Sequence, residues 1–178
     1  DEDVGTFDGT LRSLDWMALT KFYGVKGTYN AGDDTYQFSN LGGTFIIDGA
    51  GVDTISAYET LLDVTIDLRP GSHSHLGSKS SYITAANQLT ISHGSDIENV
   101  LTGSGNDTVI GTDLDNIIST GNGSDNVTIN GFPSSLYSTT LSAGNGLQVS
   151  STGSSQTYTY HKLLASESDV KQLSDDIN

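Results

Sequence analysis

Residues 102–128 divide without a gap into three nine-residue segments, TGSGNDTVI, GTDLDNIIS and TGNGSDNVT. Their sixth positions hold Asp107, Asn116 and Asp125, and their eighth positions hold Val109, Ile118 and Val127. The physical reason for such a period is a parallel β-roll, in which six residues of glycine-rich turn lead into a short strand whose apolar residue faces the interior. Two segments complete one coil, so the 103–107 turn is expected to stack over the 121–125 turn on the same edge. Glycines allow the tight turn and direct backbone carbonyls inward. Carbonyls of Gly103, Gly105, Gly121 and Gly123, with the carboxylates of Asp107 and Asp125, then supply the oxygen-rich shell that calcium takes. The middle unit has an amide, Asn116, where its neighbours have carboxylates, which makes its edge the weaker candidate.

The same pattern stands upstream. Residues 48–56 (DGAGVDTIS) place Asp53 at position six and Ile55 at position eight, and residues 30–34 (NAGDD) form another Gly-Asp turn. Asp96 and Glu98 precede the three-unit array, with Glu98 on the phase of Asp107, Asn116 and Asp125.

Composition fits a cation held by oxygen. The 178 residues include no cysteine, which removes disulfides and thiolate zinc sites. Asp and Glu number 22 against 7 Lys and Arg, a formal charge of −15 that destabilises a compact fold unless neutralised. A balance this acidic excludes nucleic acid as a partner. No stretch reaches the roughly 18 apolar residues of a membrane span, and residues 1–9 lack the basic and apolar regions of a signal peptide. The chain reads as one module, 1–178, excised from a larger secreted, extracellular protein, and monomeric when isolated.

The fold expectation is all-β. Residues 13–24 form a short helix, with Leu14, Met17, Ala18 and Phe22 near helical spacing, Ser13 as N-cap and Gly24 as its end. From 27 to 129 short β-prone runs alternate with Gly, Asp, Asn and Ser, with the roll itself at 94–129. Residues 69–82 (RPGSHSHLGSKSSY) interrupt that rhythm and read as a long polar surface loop. Residues 130–178 return to strands, with Leu141 and Leu147 flanking a hairpin-type turn at Asn145 and Gly146. Residues 166–177 read as a closing helix.

Together, LDWMALTKFYG, DDTYQF, DGAGVDTIS and ISHGSDIENVLTGSGNDTVIG resemble the non-catalytic C-terminal domain of the serralysin metalloproteases, within the wider repeats-in-toxin family. The likeness runs from about residue 14 to residue 128. It implies one calcium held by backbone oxygens of Asn30, Gly32 and Ala50 with the side chains of Asp34, Asp48 and Asp53, and a second near Gly51, Asp53, Asp96 and Glu98. Where the family often has Arg, Thr and Gly, this chain has Asn30, Asp34 and Ala50; backbone ligands survive such changes, and Asp34 adds negative charge.

The departures bear on activity. His-Glu-x-x-His does not occur, and none of the four histidines pairs with another at i, i+4, so the zinc protease centre is absent. No Gly-x-Ser-x-Gly supports a serine triad. The chain therefore reads as non-enzymatic. His93 fits the family pattern as a structural residue, and most tyrosines read as strand or core aromatics. Two functions follow. One is a calcium-dependent module of a large secreted adhesin that grips a peptide or glycan on another cell, with Arg69, His73, His75 and Tyr82 of the polar segment as ligand-contacting candidates. The other is the calcium-triggered folding and secretion domain of an extracellular metalloprotease.

Overall fold

The computed structural model describes residues 13–39 and 43–130, together with the strands at 138–143, 148–152 and 157–162. A single helix, α1 (Ser13–Tyr23), precedes thirteen strands: β1 (Thr35–Gln37), β2 (Thr44–Ile46), β3 (Thr54–Ser56), β4 (Val64–Asp67), β5 (His73–Leu76), β6 (Gln88–Ile91), β7 (Asn99–Leu101), β8 (Thr108–Gly111), β9 (Asn116–Ser119), β10 (Asn126–Asn130), β11 (Ser138–Ala143), β12 (Gln148–Thr152) and β13 (Thr157–Lys162). The all-β expectation with one short leading helix holds.

The strands lie in two sheets, ordered β1-β3-β7-β9-β11-β13 and β12-β10-β8-β4-β5-β6-β2. From β1 to β4, and again from β7 to β13, successive strands alternate between sheets, so each turn carries the chain from one sheet to the other. Pairing follows the nine-residue period. Two segments separate Thr108 from Asn126, which are parallel partners, as are Asn99 and Ile117 across β7 and β9. A period-two strand must keep one face inward in every coil. Val109, Ile118 and Val127 accordingly have no exposed surface. Ile46, Ile55, Ile66, Leu68, Leu89, Ile91, Ile97 and Ile129 join them in one core between the sheets. Each such side chain contributes about 1.5–3 kcal/mol relative to exposure.

Two expectations are corrected, and a third is filled in. First, the polar segment 69–82 is not a surface loop throughout: His73–Leu76 is a strand that pairs antiparallel with both β4 and β6. Ser74 and Leu76 point to buried positions and His73 and His75 to half-buried ones, so the alternation is real although three of its four residues are polar. Ser74 is tolerated inside because its hydroxyl accepts the Asp67 N–H at 3.0 Å. Second, β11 and β12 do not form a hairpin; the turn expected at Asn145 and Gly146 itself lies outside the described residues. β11 pairs in parallel with β9 and β13, and β12 in parallel with β10, so the two strands flanking this turn lie in different sheets. The segment after 130 thus extends both sheets; the closing helix expected at 166–177 lies outside the described residues. Third, α1 ends where expected, with the Gly24 N–H on the Thr20 carbonyl at 2.9 Å, but it does not bury the stripe that the spacing marks. Leu14 is 66% and Phe22 79% exposed; the helix rests instead through Thr20, with Trp16 and Met17 half-buried.

Candidate metal centre

Because the chain changes sheet at every turn except the two that join β4, β5 and β6, turns fall alternately on two edges of the stack. One edge carries the turns at 30–34, 48–53, 94–98 and 112–116; the other carries those at 58–63, 102–107 and 120–125. The strand registers place Asp34, Asp53, Glu98 and Asn116 in one column on the first edge, and Val64, Asp107 and Asp125 in one column on the second.

A carboxylate in these columns accepts the backbone N–H of its neighbour in the adjacent coil. Asp53 Oδ1 accepts from Asp34 N at 2.8 Å, and a Glu98 carboxylate oxygen accepts from Asp53 N at 2.8 Å. On the second edge Asp125 Oδ1 accepts from Asp107 N at 2.9 Å, and Asp107 Oδ1 from Val64 N at 2.9 Å. The position-six residue therefore ties coil to coil before any ion is considered. Asn116 does otherwise: its Oδ1 accepts the Thr112 N–H at 3.0 Å inside its own turn.

On the first edge Asp34, Asp48 and Asp53 converge, with one carboxylate oxygen from each within 4.8 Å of the others. Asp48 and Asp53 are 1% and 0% exposed. Both Asp48 oxygens are engaged, Oδ1 by the Ala50 N–H at 3.0 Å and Oδ2 by the Tyr36 hydroxyl. Asp53 Oδ2 is buried and has no hydrogen-bond partner. Burial, with the charges of Asp48 and Glu98, pushes the Asp53 carboxyl up to about 6. Burial also raises Glu98, and burial with the Asp48 contact holds the Tyr36 phenol well above its usual value, as a donor.

Three carboxylates this close, two of them withdrawn from water, repel unless something positive lies among them. A hard divalent cation matches an all-oxygen donor set, and the Asp53 oxygen without a hydrogen-bond partner is available to one. The residues present fit calcium. The Asn30 amide donates to the Ile47 carbonyl at 3.0 Å, which leaves Asn30 its backbone oxygen as the available ligand. The Gly32 carbonyl lies against Gly51, where a Cβ would overlap it; with φ at +145°, Gly51 is the residue that needs to be glycine. Gly32 itself has open space around it. Asp96 is exposed and, like Glu98, stands outside the three-carboxylate group.

On the second edge the glycines do the packing. A Cβ on Gly121 or Gly123 would fall on the carbonyl oxygens of Gly103 and Gly105, and Gly121 holds φ at +67°. Gly103 and Gly105 press in turn on the carbonyls of Thr60 and Leu62. Asp107 and Asp125 are each 1% exposed, and burial raises both carboxyls. Asp125 Oδ2 is the second buried carboxylate oxygen without a partner. The Thr102 hydroxyl donates to Asp107 Oδ2 at 2.5 Å.

Sequence reasoning missed several contributors. Tyr36 passed as a core aromatic, although it stands two residues beyond Asp34, on the strand that Asp34 leads into. Ser95, whose hydroxyl accepts the Asp48 N–H at 2.8 Å, and Asp33, which accepts from Val52 N at 2.9 Å, lay inside quoted motifs but were not singled out. The 58–63 turn was missed because it lacks glycine, yet Asp63 Oδ1 accepts the Asn106 N–H at 2.7 Å as Asn106 Oδ1 accepts that of Ser124 at 2.9 Å.

The residues expected to touch a ligand do not form one site. Arg69 is held by Asp67 through Nε to Oδ1 at 2.9 Å and a second nitrogen to Oδ2 at 2.6 Å. That pairing outweighs burial and lowers the Asp67 carboxyl. His73 Nδ1 meets the Thr90 hydroxyl at 2.8 Å, and burial lowers both His73 and His75, disfavouring their charged forms. His93 packs its ring on Gly71, leaving no room for a Cβ there. Tyr82 is 65% exposed.

The family described as peptidase M10 serralysin C terminal matches residues 23–176. Serralysin of Proteus mirabilis is 31% identical over 128 residues, which is 64% of this chain and 25% of the relative. Metallopeptidase AprA of Pseudomonas marginalis is 32% identical over 118 residues, 58% of this chain and 24% of the relative. The chain thus spans about a quarter of the length of these relatives.

Proposed function

The chain belongs to the peptidase M10 serralysin C-terminal family, and on that premise we propose that it is a non-catalytic module of a secreted protein whose folding is driven by calcium. The observation that carries this reading is the buried, unpartnered Asp53 oxygen among three converging carboxylates. In this reading the stacked turns form a parallel β-roll interrupted by one antiparallel hairpin. Without calcium the acidic columns repel and the chain stays loose. In a calcium-rich medium, binding to the folded state alone stabilises it by mass action, by about 2.7 kcal/mol at a hundredfold excess over Kd.

Among the described residues no helix is long and apolar enough to cross a membrane, and the sequence contains no His-Glu-x-x-His. As to the parent protein, a folding and secretion domain of an extracellular metallopeptidase is the better supported reading, since both relatives carry a peptidase name. The adhesin reading loses part of its motivation because residues 73–76 of the polar segment are sheet and Arg69 is engaged by Asp67. A zinc-protease motif upstream of Asp1 separates the two; tandem Ig-like repeats there favour the adhesin.

The test is a calcium titration of the full chain followed by far-ultraviolet circular dichroism. The expected result is a β-sheet signal that appears with calcium, disappears with chelator, and is not restored by equimolar magnesium, which demands a tighter octahedral shell. An identical spectrum in chelator and in millimolar calcium overturns the reading.

A further inference from the structure

Sheet order contains an asymmetry that the edges do not explain. In one sheet β1 and β3 are neighbours, whereas in the other the strands that follow them, β2 and β4, are separated by β5 and β6. Strands in a sheet lie about 4.8 Å apart, so the second sheet is wider by roughly 10 Å at this level than the coils require. The two turns that leave β1 and β3 are therefore forced apart, and a cavity of about 300 Å³ lies between them. Its floor is apolar: Phe38, Ala57 and Leu76 line it and are each 2–3% exposed. Leu76 comes from the inserted strand itself.

The rim differs from the rest of its edge. Where the coils below have glycine-rich turns at 102–107 and 120–125, this coil has YETLLD at 58–63. Tyr58 is 65%, Leu61 82% and Leu62 47% exposed, and Leu61 and Leu62 line the mouth. Adjacent exposed apolar residues beside a concave apolar floor mark an interaction site rather than ordinary surface scatter. Among the described residues of the lining Glu59 is the one ionisable group and none is basic, and the chain as a whole carries −15. The volume is at the small end of the roughly 300–1,000 Å³ of ligand sites, which suits individual side chains.

We infer that this cleft is a docking site for a cationic, apolar peptide segment of a partner protein, a leucine-type side chain entering over Phe38, Ala57 and Leu76 and an adjacent lysine or arginine meeting Glu59. None of the lining residues is among the proposed calcium ligands, so the inference goes beyond the calcium reading and can fail separately from it.

The experiment is fluorescence anisotropy at physiological salt, with the full chain saturated with calcium and a fluorescein-labelled hexapeptide of alternating leucine and lysine. Two comparison peptides replace lysine by glutamine or by glutamate. The leucine–lysine peptide is expected to bind, with the glutamine peptide at least tenfold weaker and the glutamate peptide weaker still. Glu59→Gln is expected to weaken binding about tenfold. Ser39→Trp, at an exposed rim position, and Leu61→Ser are expected to abolish it, while Asp113→Asn, an equal charge change on a distant exposed turn, leaves it unaltered. Each variant's fold is checked by its calcium titration, and the two exposed-rim variants keep the test open if Glu59→Gln misfolds. Equal binding of the lysine and glutamine peptides, equal losses in Glu59→Gln and Asp113→Asn, or full binding by Ser39→Trp and Leu61→Ser overturns the proposal.

Discussion

The two edges of the stack follow one rule with different materials. On both, a position-six carboxylate accepts a backbone N–H from the next coil. The first edge then crowds Asp34, Asp48 and Asp53 together and seals two of them from water, a repulsion that a counter-cation would relieve. The second edge spaces its carboxylates one coil apart and brings turns so close that glycine carbonyls occupy the place of a Cβ. Charge limits the first edge, and steric room limits the second. A tandem of similar motifs therefore need not share one energetic origin.

The contrast is broken most sharply by adding a methyl group. Gly121→Ala places a Cβ at positive φ and against the Gly103 carbonyl, and its expected cost is about 3 kcal/mol. Gly32→Ala on the first edge meets nothing within 4 Å and is expected to stay within about 0.5 kcal/mol of the parent. Urea midpoints in saturating calcium measure both; equal losses remove the steric distinction between the edges.

A smaller effect comes from pH. Asp53 titrates at about 6 in the folded state and near 4 when unfolded, so between these values the folded chain binds more protons than the unfolded one. Stability of the calcium-free protein is then highest below pH ~4 and declines by about 2 kcal/mol as pH rises through ~6, with Asp107, Asp125 and Glu98 raised in the same direction. In calcium the sign reverses, because protons compete with the ion for the same oxygens. The circular dichroism β-sheet signal across this range should strengthen toward low pH in chelator and weaken toward low pH in limiting calcium; the same direction in both would mean that Asp53 is not coupled to the ion.

Next comes a pair of isosteric changes. Asp53→Asn is expected to raise the calcium concentration for half-folding about tenfold, equivalent to about 1.4 kcal/mol. Asp125→Asn keeps an oxygen for the Asp107 N–H and is expected to raise it only about threefold. Calcium titrations of the two variants rank the edges directly. Least of all, Arg69→Ala removes an ion pair whose arginine side chain is 51% exposed and is expected to cost under about 1 kcal/mol, a control for charge changes away from both edges.

How much of this was legible depended on contrast. The 102–128 array announces its own stacking, since a fixed period with an apolar residue at position eight admits one inward register. DGAGVDTIS showed Asp53 for the same reason, and the family likeness added Asp34 and Asp48. The β5 strand escaped notice because Ser-His-Ser-His-Leu alternates among polar residues, so burial left no hydropathy signal. The 58–63 turn escaped because glycine was the marker sought, while its actual ties are the Thr60 and Leu62 carbonyls and Asp63. The α1 stripe was visible, but whether it is covered was not: helical periodicity records that one face is apolar, not that something packs on it.

By itself the sequence determined the repeat unit, its inward apolar positions and the oxygen-only chemistry of its turns, because these are properties of residues a few places apart. Only the tertiary structure decided which turns share an edge, that three carboxylates from segments up to 19 residues apart converge, and that an inserted hairpin parts two coils to open a cleft. Those outcomes depend on where separate coils land relative to one another, and strand pairing across sheets, unlike period, is set by distant partners.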